Sequence, residues 1–205
     1  MKKFKKAAMF GLDARIALVI FGALSVISGA ALYSAIQEAK STSYLVEMQE
    51  IAKAWEQYYL DTGDILEKNS SDSTSYNYYI LRTNGLAVDN SVNGWNGPYT
   101  PIPASGVFLE NARDEFIYMG ILDPSVAWAG SSAWTNGYCT AGSPCSSYIF
   151  LSKVGWDTSI LNSIDSRVDG GDGAGAGKFR WWTDNHVTLK NRVFLEVAPI
   201  NNPLG

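Results

Sequence analysis

The stretch from Ile16 to Leu32 (IALVIFGALSVISGAAL) carries no charge, and with Tyr33 to Ile36 it reaches 21 residues. As a helix rising 1.5 Å per residue it measures about 31 Å, enough to cross a bilayer core. A segment that is apolar on every side is tolerated in water only when lipid or other protein covers it all round. The residues that follow sharpen this constraint. Beyond the apolar run there is no proline or glycine until Gly63. Leu45, Met48, Ala52, Trp55 and Tyr59 recur at spacings of three and four, with Tyr44, Ile51 and Tyr58 beside them. That period predicts one continuous helix over Leu12 to Thr62, about 76 Å long. Its first half (residues 12–36) is apolar all round, and its second half (residues 37–63) is amphipathic.

Charge orients this helix. Lys2, Lys3, Lys5 and Lys6 precede it with no acid among the first eleven residues, whereas the whole chain has a net charge of −4. Without the four lysines the charge is −4 − 4 = −8. The positive-inside rule keeps the lysines cytoplasmic and places everything after the apolar run outside. The acidic remainder lacks the basic face that phosphate neutralisation requires, so no nucleic-acid partner is predicted. A cleavable secretory signal is the competing reading, with Ile16 to Ile27 as its apolar core and Ser28-Gly29-Ala30-Ala31 as small residues for a signal peptidase. A secreted globule, however, has no use for a helix twice as long as a small domain is wide.

A lysine-rich leader, Gly11, a short polar stretch and an unbroken apolar helix together resemble the type IV pilin and type II secretion pseudopilin superfamily. The resemblance implies that a prepilin peptidase cuts between Gly11 and Leu12 and methylates the new terminus, leaving residues 1–11 as a leader peptide. It also implies self-assembly into a helical filament, driven by an inner-membrane platform and an assembly ATPase. The precursor would lie in the inner membrane with its head in the periplasm, and the filament would be extracellular or periplasmic. The chain departs from the family at two positions: Leu12 stands where phenylalanine is usual, and Ile16 where the family keeps a glutamate that pairs with a neighbour's terminal amine. Asp13 and Arg15 are the charges available to replace that assembly contact, or else they sit at the headgroup boundary.

The fold expected is α+β, a long N-terminal α-helix packed on a four-stranded antiparallel β-sheet, with residues 64–205 as the head. Strand candidates are Phe116–Leu122, Tyr148–Val154, Lys178–Trp182 and Val187–Val197, rich in β-branched and aromatic residues and bounded by turn formers. Thr158–Val168 shows a short helix face, Tyr76–Leu81 reads as a short helix or strand, and Asn69–Ser75 as exposed loop. Asn93-Gly-Trp-Asn-Gly-Pro-Tyr99 forces turns. Its Trp-x-Gly-Pro-Tyr pattern is similar to the segment that joins helix to sheet in pseudopilins, where the aromatics pin the loop to the helix. Residues 123–144 form a small-residue and aromatic insertion. Its Trp128, Trp134 and Tyr138 are either a contact surface or the insertion's own core.

Cys139 and Cys145 frame a short loop. With His186 the sole histidine they cannot complete a zinc site, so a disulfide in an oxidising compartment is expected, two free thiols being the alternative. Asp165, Asp169 and Asp172, interleaved with glycines, can bring several oxygens together for a hard cation such as calcium. Simple turns and Asx caps explain the same residues. No nucleophile accompanies His186, and Gly170–Gly177 lacks the Lys-Ser/Thr of a phosphate loop, so the sequence offers no basis for enzyme activity. Two classes of function remain: a filament subunit, of a pilus or of a secretion pseudopilus, and a secreted or membrane-anchored glycan- or surface-binding adhesin domain.

Overall fold

The computed structural model of the chain describes residues 5–113, 115–130, 132–153, 155–182 and 191–205, with side chains from Gly11 onward except that of Leu12. Lys2, Lys3 and His186 lie outside the described residues. The chain divides into two compact units, residues 1–40 and 41–205, and the long helix α1 (Lys5–Thr62) runs through the division. It starts at Lys5, seven residues before the expected start at Leu12, and ends where the sequence places its end, at Thr62, followed by Gly63 at a φ of +74°.

Within the first unit, α1 is apolar and uncovered. Leu18 is 70% exposed, Phe21 71% and Val26 73%. This helix is long and apolar enough to cross a membrane.

In the second unit, Ser41, Tyr44, Met48, Ile51, Trp55 and Tyr58 are buried, at alternating spacings of three and four. The buried stripe is therefore rotated from the expected one. Leu45 and Ala52 flank it, and Tyr59 is 42% exposed. The sheet against it has seven strands rather than four, all antiparallel: β1 (Ile80–Leu81), β2 (Ala104–Ser105), β3 (Phe108–Glu110), β4 (Phe116–Leu122), β5 (Cys145–Lys153), β6 (Phe179–Trp182) and β7 (Asn191–Ile200). Their order is β2-β3-β4-β5-β7-β6, with β1 paired to β4 beside β3. The three extra strands hold two or three residues each, too few to show a period of two. Helix α2 (Thr158–Val168) lies between β5 and β6 in the chain, and Asp157 caps it by accepting the Ser159 N–H at 2.9 Å.

Both faces of the sheet are buried. Ile117, Met119 and Ile121 of β4, Ile149 and Leu151 of β5, and Val193 and Leu195 of β7 share a core with α1 and with Ile160, Leu161 and Ile164 of α2. Tyr118, Tyr148, Phe150 and Phe194 face the other way, into a second core with Trp128 and Trp134 of the insertion. Trp128 is fully buried, and its indole donates to the Asp123 carbonyl at 2.8 Å. The insertion's tryptophans thus cover the second face of the sheet and present no contact surface. Trp95 and Tyr99 hold their loop as expected. The Trp95 indole donates to the Gly85 carbonyl at 2.8 Å, and the Tyr99 hydroxyl to Asp61 on α1 at 2.9 Å. At Gly94, with φ +84°, a Cβ would come within 2.4 Å of the Asp61 carbonyl oxygen, so this close approach to α1 requires glycine.

Candidate functional site

Three places hold the residues singled out in the sequence. Gly11 sits on exposed helix, and no atom outside its own helix backbone lies within 4 Å of where its Cβ would be. Leu12 continues α1, and Asp13 and Arg15 are exposed on it a turn before the uncovered apolar run.

Cys139 and Cys145 form the expected disulfide, with Cα atoms 5.9 Å apart. The bond closes the far end of the insertion against the first residue of β5. Its two cysteines are buried in the helix-side core.

The turn from α2 into β6 gathers the three aspartates. Asp165 lies in the last turn of α2, Asp169 is its C-cap and Asp172 follows in the loop. One carboxylate oxygen from each lies within 4.8 Å of the others. Asp169 accepts the N–H of Lys178 at 3.0 Å and of Phe179 at 2.7 Å, which anchors the start of β6. Asp165 Oδ2 accepts the Gly173 N–H at 3.1 Å, so the loop wraps round the carboxylates. Gly177, at φ +68°, allows that wrap: a Cβ there would stand 2.6 Å from Asp169 Cγ and from Asp172 Oδ2.

The expected Asx-type bonds are therefore present, yet they leave a remainder. Asp165 is only 3% exposed, and its Oδ1 has no hydrogen-bond donor among the described residues. Burial pushes its carboxyl above the usual range, the Gly173 N–H works against this, and the charges of Asp172 and Asp169 push it higher again. A buried oxygen without a donor, among three acids, is costly unless a proton or a cation meets it. An all-oxygen donor set fits a hard cation such as calcium.

A second polar cluster was not anticipated. Glu115, 4% exposed, accepts from the Tyr44 hydroxyl at 2.9 Å, Asn111 at 2.9 Å and Arg113 at 2.8 Å, with Lys153 at 3.7 Å. Arg113 also pairs with Glu47 of α1. Burial alone would raise the Glu115 carboxyl, but the donors from Asn111, Arg113 and Tyr44 outweigh it and hold it below the usual range. Tyr44 is pushed up to about 12, chiefly by burial and then by Glu115. No periodicity marks Asn111–Glu115 in the sequence, because the partners come from α1 and β5. The cluster ties helix to sheet.

No protein-family model, curated protein or solved structure matches the chain.

Proposed function

We propose that this chain is a structural subunit of a type IV pilus or pilus-like filament, anchored by α1 as a precursor, cut between Gly11 and Leu12, and assembled by packing copies of the apolar half of α1 together. The observation that carries the reading is the uncovered run of apolar residues from Ile16 to Ile36, attached through one helix to a head with its own core. Lipid can cover this run first and neighbouring copies afterwards, since both exclude water from the same side chains. In this reading Asp13 and Arg15 supply the intersubunit charge contact in place of the absent glutamate at Ile16. Prepilin peptidase, a membrane platform and an assembly ATPase are the implied partners, and calcium at Asp165, Asp169 and Asp172 would hold the loop before β6. A secretion pseudopilus is served by the same features; because Trp128 and Trp134 belong to the core, they do not favour a pilus over it.

Mass spectrometry of the mature protein tests the reading. An N-terminus at a methylated Leu12 is expected, together with a membrane-trapped precursor when Gly11 is replaced by a bulky residue. A mature start near Ala31 or Leu32 would remove the helix and sink the proposal, leaving a secreted binding domain.

A further inference from the structure

Beside the C-terminal end of α1, the head carries an open cleft of about 1270 Å³ between residues 63–71 and the end of β7. Trp55 and Tyr59 of α1 line it, with ring centroids 5.6 Å apart and planes 23° from parallel. Tyr59 is 42% exposed, so an aromatic ring is presented to solvent with a buried indole stacked behind it. Trp55 is itself only 4% exposed, and its indole N–H finds no acceptor among the described residues. Polar residues on the lining include Asp64, Glu67, Lys68, Ser70 and Asn201.

We infer that this cleft binds a neutral oligosaccharide, a β-linked hexose chain with equatorial hydroxyls. Such a sugar has a flat C–H face that suits the Tyr59 ring and a rim of hydroxyls that suits carboxylate, ammonium, hydroxyl and amide groups. Asp64, Glu67 and Lys68 bring both signs of charge to the lining, and Glu67 also pairs with Arg82 at 3.8 Å, which suits a neutral ligand better than an anion or a cation. Every lining residue belongs to the second unit, residues 41–205.

The test is calorimetric titration of the full chain, held in micelles of a detergent without sugar groups, with cellotetraose and with chitotetraose. Saturable binding of at least one probe is expected. Tyr59→Ala should weaken it by about tenfold or more, as loss of a stacking ring does, and Trp55→Phe, which leaves a smaller ring behind Tyr59, by a smaller factor. Tyr76→Ala removes an exposed tyrosine outside the cleft and should leave binding unchanged. Thermal melts of each variant separate lost binding from lost folding, and Tyr59→Leu serves if the alanine variant melts early. Failure of both probes to bind, or binding undiminished in folded Tyr59 variants, overturns the inference.

Discussion

Glu115 and Asp165 are both buried carboxylates, and their neighbours drive them in opposite directions. Glu115 titrates below its unfolded value, so its ionised form stabilises the fold above that value, and the stabilisation is lost as pH falls through the lowered folded value. Glu115→Gln is expected to lower stability on the order of 2 kcal/mol at neutral pH, the scale of unmatched buried donors, and to differ less from the parent in acid. Thermal melts across pH 3 to 7 in about one-unit steps would show two curves that converge on the acid side. Asp165 titrates above its unfolded value, so whatever stability it adds is present below the unfolded value and is lost as pH rises through the folded one. A cation reverses that loss. Calcium should therefore raise the melting temperature at neutral pH and much less in acid, where protons compete for the same oxygens. Asp165→Asn should abolish the calcium response while leaving the calcium-free protein as stable or more so. An equal calcium shift in parent and variant would remove the assignment.

Helix α2 shows how local signals and tertiary contacts combine within one element. Asp157 caps it, Ile160, Leu161 and Ile164 bury one face, and the boundaries match those expected from the residue pattern. Ile164 is fully buried, so Ile164→Ala should cost about 2–5 kcal/mol, measured by denaturant unfolding, because the rigid sheet beneath cannot collapse into the cavity. A loss below about 1 kcal/mol would mean that α2 is not part of the cooperative core. The strands were legible to different degrees. β4 coincides with its expected span because seven consecutive residues carry the signal. β5 starts three residues earlier than expected, at Cys145, because Ser146 and Ser147 look like loop in the sequence yet are buried in the ladder. Residues 187–190 of the expected last strand lie outside the described residues, and β7 runs three residues past the expected end, to Ile200. FIYMGIL and YIFL are apolar without alternation, the pattern of strands covered on both faces.

For the molecule as a whole, the division between residues 40 and 41 separates two physical problems. The second unit keeps Tyr44, Met48, Ile51, Trp55 and Tyr58 with the sheet, so its apolar core is drawn from residues 44 onward. Deleting residues 1–40 should give a water-soluble head that unfolds cooperatively without detergent, checked by sedimentation and thermal melting. The full chain should require detergent or self-association, because its first helical half has no apolar partner of its own. Aggregation of the deleted form would show that the head depends on the missing segment.

Sequence alone determined whatever depends on neighbours along the chain. The unbroken course and apolar character of α1, its end before Gly63, the face of α2, the existence of the four longer strands and the cysteine pair all follow from spacing and local residue chemistry. Tertiary structure decided what depends on residues far apart in the chain. It rotated the buried stripe of α1, added the two- and three-residue strands that survive only by pairing, and turned the insertion's tryptophans into a second core. It also enclosed Asp165 with an unsatisfied oxygen and set Trp55 behind Tyr59 at the wall of a cleft. These features come from long-range packing, whose partners no local periodicity can reveal.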